Sequence, residues 1–137
     1  LGRSGDTGIR FYGSLDGYGA TWVAGAIRLA AGVDEALTPA LRIRLGELVE
    51  PVHLRLYALP EHDETPPLVR AACALAVGCP HIWLDVIHAY DFASDVPLAA
   101  SPEITVMSVD SGRLIEPSPD EADLVRQVLV ATARMPT

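Results

Sequence analysis

The side chains that could do chemistry are two cysteines, Cys73 and Cys79, and a consecutive trio of His62, Asp63 and Glu64. A thiolate can attack a disulfide, but both cysteines lie in the apolar run Ala-Ala-Cys-Ala-Leu-Ala-Val-Gly-Cys. A cysteine in such surroundings normally acts as a small buried hydrophobe. Six residues along one helix also separate two positions by about 9 Å and 240°, too far for a disulfide. We therefore predict two buried thiols that form no disulfide.

The trio of His62, Asp63 and Glu64 could bind a metal if His53 or His88 completed the ligand set. Consecutive residues rarely point to one centre, however, and the sequence has no spaced pair of His or Cys of a recognisable metal type. The trio also has no Ser or Cys nucleophile nearby in sequence that an acid–base site would activate. We predict a solvated cluster at the start of a helix, with no metal, no cofactor and no catalytic residue.

Composition limits the partners and the compartment of the chain. Its 137 residues are 50% hydrophobic and 20% charged, which is typical of one compact domain. The formal charge of −8 disfavours nucleic acids and anionic membranes, because both attract clustered cations. The sequence has no apolar run of membrane-spanning length, and its first residues do not resemble a signal peptide. We predict a cytoplasmic protein that does not bind nucleic acid or membranes.

The elements that must position these side chains alternate between strands and helices. Hydrophobic patterns and turn signals predict strands near 8–13, 52–59, 81–88, 103–109 and 113–115. The same signals predict helices at 20–31, 38–49, 68–77 and from residue 118 to the C-terminus. Thr38 is the predicted N-cap of the second helix, with Pro39 at its first position. The capping box Ser118-Pro119-Asp120-Glu121 predicts Ser118 as the N-cap of the last helix. From residue 52 onward this order predicts an α/β fold with a mixed four-stranded sheet and helices on both faces.

The ordered series resembles a known fold. The order of strands and helices, with a proline at 102 directly before a strand, resembles the thioredoxin fold. The resemblance extends to three short segments: Ile9-Arg10-Phe11-Tyr12-Gly13, Leu37-Thr38-Pro39 and Pro51 to Tyr57. The series is similar to the C-terminal half of tandem-thioredoxin (glutaredoxin-like) protein disulfide oxidoreductases. It is also similar to the N-terminal domain of the flavoprotein reductase that serves alkyl hydroperoxide peroxidase. The resemblance implies a strand–helix remnant of a preceding unit at 1–34 and a complete thioredoxin-like domain at 38–134.

The resemblance also implies where the chemistry of that family would take place. His62 stands at the position of the nucleophilic cysteine of the Cys-x-x-Cys motif, and Thr65 stands at that of the resolving cysteine. Pro66 matches the proline that follows the motif, and Pro102, preceded by Ser101, matches the family's cis-proline. Disulfide exchange needs a thiolate and a second thiol, and neither imidazole nor hydroxyl can replace them.

We therefore predict a redox-inactive, non-enzymatic domain that binds a protein partner or has a structural role. Its binding surface would be the former active-site face, formed by His62, Asp63, Glu64, Thr65, Pro66, Ser101 and Pro102. The alternative is a thiol-disulfide oxidoreductase that acts through Cys73 or Cys79, or through an active unit upstream of this chain.

Two further questions stay open at the level of sequence. Trp22, Val23 and Ile27 would either pack on the complete unit or form a homodimer interface. Asp85, flanked by Leu84 and Val86, would either point to an exposed face or be partly buried.

Overall fold

The computed structural model describes residues 8–12, 18–32, 37–48, 51–58, 65–88, 103–107, 112–118 and 120–134. In chain order these residues form β1 (Ile9–Tyr12), α1 (Tyr18–Ala30), α2 (Pro39–Leu45), β2 (Val52–Ala58), α3 (Thr65–Gly78), β3 (Ile82–His88), β4 (Glu103–Met107), β5 (Gly112–Ile115) and α4 (Glu121–Arg134). The order of strands and helices is the predicted one.

The strands form one mixed sheet in the order β1-β3-β2-β4-β5. Both β1 and β2 run parallel to β3, whereas β4 runs antiparallel to β2 and β5. The helix between β2 and β3 imposes their parallel pairing, and the short connection between β4 and β5 imposes the antiparallel one. The predicted α/β class and mixed sheet are confirmed. The sheet has a fifth strand because β1, predicted as part of the 1–34 remnant, joins it beside β3.

One face of the sheet carries the core. Side chains alternate along β2, so that Val52, Leu54, Leu56 and Ala58 are buried while the residues between them are half-buried. The described helices pack on this side, which we call the helix face: α3 contacts β1, β2 and β3, and both α1 and α4 contact α3. Most of α3 is buried as a result, and each fully buried large aliphatic side chain contributes about 1.5–3 kcal/mol.

The other face of the sheet is amphipathic. Arg10, Asp85, Arg55 and Thr105 stand at one level across β1, β3, β2 and β4, and we call the surface that they share the polar face. No described helix covers it. The segment 89–102, between β3 and β4, lies outside the described residues, so the predicted covering of both faces stays a prediction.

Side-chain caps fix where two helices begin. Thr38 is the N-cap of α2, with Oγ1 accepting from the N–H of Leu41 at 3.4 Å, and Pro39 follows it as predicted. The predicted cap of α4 was wrong. Asp120, not Ser118, caps α4, since its Oδ1 accepts from the N–H of Ala122 and its carbonyl accepts from Leu124. Oγ of Ser118 instead accepts from the N–H of Asp120, two residues later and before the first residue of α4.

None of the helices in the described ranges combines the length and the apolar character needed to span a bilayer.

Candidate functional site

The start of α3 is where the resemblance places an active site. Thr65, at the position of the resolving cysteine, is fully buried at the first residue of α3. Pro66 is exposed in the first turn, where proline is tolerated because the N–H groups there have no partner within the helix. The other predicted residues of this face, His62, Asp63, Glu64, Ser101 and Pro102, lie outside the described residues.

Cys73 lies in the middle of α3, on a helix that is almost entirely buried. The side chain is 1% exposed, and burial raises the pKa of its thiol to about 12 from an ordinary value of 9.0. The cause is desolvation, which disfavours the thiolate because a buried negative charge loses its hydration. Near neutral pH, Cys73 therefore carries a protonated thiol without nucleophilic character.

Cys79 follows directly after α3 and is also buried. Its Sγ lies 3.9 Å from the carbonyl oxygen of Leu45 at the end of α2, a weak S–H···O contact. Neither cysteine forms a disulfide. The prediction of two buried thiols outside a disulfide is confirmed.

A second cluster of functional groups lies on the polar face. Asp85 is 8% exposed, which settles the question that its sequence context left open: it is buried. Its Oδ2 lies 2.8 Å from Nε2 of His53, whose side chain is 43% exposed. No local pattern in the sequence indicates this pair, because it depends on the register between β2 and β3. That register cannot be read locally, since the whole of α3 separates the two strands in the chain. In the resulting register His53 lies opposite Trp83, diagonal to Asp85.

Two arginines flank Asp85 on the neighbouring strands. The guanidinium of Arg10 lies 5.9 Å from the ring centroid of Trp83, within cation–π range, and its Nη1 donates to the carbonyl of Ile9 at 3.1 Å. Arg55 stands on the other side of Asp85, and its Nε is buried with no hydrogen-bond partner among the described residues. A buried donor without an acceptor costs about 1–3 kcal/mol.

Within the described ranges, no three His, Cys, Asp or Glu side chains are grouped so that they could hold a metal ion. His53, considered as a possible ligand beside the His62 trio, pairs with Asp85 instead.

The residues considered for a homodimer interface divide between core and surface. Trp22 is 5% exposed and belongs to the same core as Leu54 and Leu84, so it packs within the chain. Val23 is half-buried, and Ile27 is 62% exposed.

This arrangement of sheet and helices is a thioredoxin-like fold. The chain superimposes on the N-terminal domain of alkylhydroperoxide reductase AhpF from Enterococcus faecalis with a TM-score of 0.75 and 17% identity, over 90% of this chain and 59% of that one. A structure of a cysteine-to-alanine mutant of AhpF from the same organism gives a TM-score of 0.73 at 17% identity with the same coverage. At this identity the likeness shows the fold. Comparison with protein-family models and with curated proteins found no match.

Proposed function

We propose that the chain is a redox-inactive thioredoxin-like domain that serves as a protein-binding or structural module. The observation that carries this proposal is the placement of the two thiols. Cys73 is buried in α3 with a pKa of about 12, and Cys79 is buried against α2. Thiol–disulfide exchange needs an accessible thiolate and a second thiol within reach, and neither cysteine meets the first condition.

The proposed binding surface is the face where an active oxidoreductase would hold its disulfide. By the resemblance it comprises His62, Asp63, Glu64 and Pro66 and also Ser101 and Pro102. Thr65, the remaining residue predicted for this surface, is fully buried and would support the surface from within without contacting a partner. The resemblance supports this choice, because a thioredoxin-like domain meets extended peptides there. With both sulfurs replaced, such a surface would bind a peptide without carrying out the exchange step.

Insulin reduction with dithiothreitol tests the absence of redox activity. We expect no turnover above dithiothreitol alone, while a thioredoxin with an intact Cys-x-x-Cys motif at the same concentration gives rapid turnover. The matched control is the double variant Cys73→Ala, Cys79→Ala, with its fold checked by circular dichroism. Turnover in the natural chain that disappears in this variant would overturn the proposal in favour of an oxidoreductase.

A thiol titration tests the physical reason separately. The rise of the Cys73 pKa from 9.0 to about 12 lowers its thiolate fraction at pH 7 by roughly a thousandfold. We expect both thiols to react with Ellman's reagent far more slowly in the folded chain than in denaturant. Fast reaction of either thiol under native conditions would contradict the proposed inertness.

A photo-crosslinker tests the proposed binding surface. With p-benzoylphenylalanine placed at position 62, we expect one reproducible protein adduct in cells. The matched control places it at the exposed position 122 on α4, where we expect no such adduct. Equal adducts from both positions would contradict a specific surface at the start of α3.

A further inference from the structure

The described sheet ends at β5, which pairs with β4 on one side only. Gly112 and Leu114 are exposed on this strand, and Leu114 is 63% exposed. A strand at the end of a sheet has outward backbone groups that can pair with another strand. Which residues of β5 supply those groups follows from the hydrogen bonds around it.

The backbone of Glu116, the residue directly after β5, bonds to a side chain of α4. Its N–H donates to Oε1 of Gln127 at 2.8 Å, and its carbonyl accepts from Nε2 of Gln127 at 3.0 Å. The backbone groups of alternate residues point to the same side of a strand. Because Gln127 bonds these groups in place of β4, the N–H and C=O of Leu114 and Gly112 also point away from β4. We call these outward groups the outer edge of β5.

The central strands give the same assignment. The N–H of Val52 donates to the carbonyl of His81 on the β3 side at 2.7 Å. Alternation along β2 then directs the backbone groups of Arg55 toward β4, where Thr105 is the paired residue. Since the groups of Thr105 point back to β2, those of its β5 partner Leu114 point outward.

Apolar side chains lie beside the outer edge, on the polar face. Leu114 is opposite Thr105, and Met107 is opposite Gly112. A Cβ added to Gly112 would lie 2.8 Å from Sδ of Met107, so the missing side chain lets Met107 lie against β5. Leu114 and half-buried Met107 therefore offer apolar contact to alternate side chains of an added strand.

The end of the outer edge next to α4 is acidic. Glu116 is exposed, and the register continues to Glu103 of β4 and Tyr57 of β2 at the same level. Arg113 stands at the level of buried Val106, on the helix face. Like charges on neighbouring strands repel each other, so a positive side chain beside Glu116 would be favourable.

The nearest arginine of α4 has a carboxylate partner of its own. Arg126, next to Gln127, forms an ion pair with Asp123 at 2.6 Å. The formal charge of −8 also attracts a basic partner from a distance.

We propose that the outer edge of β5 binds an extended segment of another protein as an additional antiparallel strand, with the order basic-x-apolar-x-apolar from its N-terminus. The basic side chain lies beside Glu116, and the two apolar side chains lie beside Leu114 and Met107. The backbone of the segment bonds to Leu114 and Gly112. It stops before Glu116, whose backbone groups Gln127 already satisfies. This surface is separate from the start of α3, so the inference goes beyond the proposed function.

A second copy of the chain fits the outer edge less well. Two-fold pairing about Leu114 would place Gly112 of one copy opposite Glu116 of the other. Gln127 already occupies the backbone of Glu116, and each copy has a formal charge of −8. Both observations favour a basic partner over self-pairing.

Hydrogen exchange measured by nuclear magnetic resonance tests the open edge in the free chain. We expect the amides of Gly112 and Leu114 to exchange rapidly, and those of Arg113 and Ile115, which face β4, to exchange slowly. Protection of Leu114 equal to that of Ile115 would overturn the inference. If sedimentation also gave a dimer, the edge would belong to a second copy.

A designed peptide tests the partner chemistry. The probe is acetyl-Thr-Lys-Thr-Leu-Thr-Val-Thr-amide, titrated into the 15N-labelled chain at low salt. We expect saturable shifts of the Gly112 and Leu114 amides and no shift of the indole of Trp22, which is buried on the helix face. Glutamate in place of the peptide lysine should weaken binding about tenfold.

Single N-methyl groups on the peptide distinguish strand pairing from non-specific adhesion. In an added strand, the N–H of the peptide leucine faces Leu114, whereas that of the following threonine points away. We expect N-methylation of the leucine to weaken binding at least tenfold and N-methylation of the threonine to have little effect. Equal binding of the two peptides would overturn the inference.

Substitutions in the chain test the same contacts. Leu114→Pro removes the outward N–H and keeps the bonds to β4, which an edge strand tolerates, and should weaken binding at least tenfold. Glu116→Gln should weaken binding severalfold and reduce its salt dependence. Ile43→Thr, at an exposed apolar residue of α2, is the matched control and should bind like the natural chain.

Two further results would overturn the inference: no shift of the Gly112 and Leu114 amides up to millimolar peptide, or equal binding of the lysine and glutamate peptides. The N-methylated peptides leave the chain unchanged, so their result decides the matter if Leu114→Pro does not fold. The insulin assay and the crosslinker at position 62 report on the proposed function by themselves, so the failures of the two proposals are distinguishable.

Discussion

Asp123, in the first turn of α4, accepts three side-chain hydrogen bonds. Its Oδ1 accepts from Nη2 of Arg126 at 2.6 Å and from Nε at 3.2 Å, and its Oδ2 accepts from Nε2 of Gln127 at 3.0 Å. These hydrogen bonds lower the pKa of the Asp123 carboxyl below its ordinary value of 3.8, and the bond with Arg126 has the largest effect. The negative charge also lies at the positive end of the helix.

The lowered pKa of Asp123 predicts how its contribution to stability depends on pH. A carboxyl whose pKa is lower in the folded state contributes fully above its unfolded value of 3.8, and the contribution is lost as the pH falls through the folded pKa. We expect Asp123→Asn to unfold at lower urea concentration than the natural chain at pH 6, with the difference shrinking below pH 4. Arg126→Gln should reduce the same dependence, and a constant difference at all pH values would contradict this account.

The helix α3, which carries Cys73, ends in a tight contact. A Cβ added to Gly78, the last residue of α3, would lie 2.6 Å from Cδ1 and 2.8 Å from Cγ of Leu37, a residue with no exposed surface. The stem of Leu37 would have to move, not only its end. Gly25, inside α1, has open space where its Cβ would lie.

This contrast predicts opposite effects for one substitution at two glycines. Gly78→Ala should lower the free energy of unfolding by about 1–3 kcal/mol through overpacking against Leu37. Gly25→Ala should raise it by about 0.5–1 kcal/mol, because alanine is the better helix former and its methyl group has room. Urea denaturation of both variants measures whether the free energy of unfolding falls in one and rises in the other. A stabilised Gly78→Ala variant would mean that Leu37 moves freely.

The elements could be predicted from sequence wherever the signal is local. Thr38-Pro39 marks the start of α2 because the cap and the proline act within one turn. At α4 the capping-box pattern favoured Ser118, whereas the structure has Asp120, two residues later, as the cap. The pairing of His53 with Asp85 depends on the register of two strands separated by a helix, which the sequence does not encode locally.

At the scale of the whole molecule, the N-terminal elements share the core of the rest. Ile9 of β1 and Trp22 and Leu29 of α1 belong to one hydrophobic cluster with Leu54 and Leu84 of the central strands. The division into a remnant at 1–34 and a domain at 38–134 stays a prediction, drawn from the resemblance. A unit that contributes an edge strand and a buried tryptophan to a common core cannot separate from it without exposing apolar surface.

This shared core predicts that the chain unfolds as one cooperative unit. Trp22 reports on α1 and Trp83 on the central sheet, so Trp83→Phe and Trp22→Phe each leave one fluorescent reporter. Within each variant, we expect its single tryptophan and the far-ultraviolet circular dichroism to give the same urea midpoint. The midpoints of the two variants need not agree, since Trp22→Phe removes buried contacts. If the Trp22 signal had its midpoint at a lower urea concentration than circular dichroism, β1 and α1 would detach first, as expected for an independent remnant. Coincidence would instead mean that 1–34, whatever its origin, folds only together with the sheet that it completes.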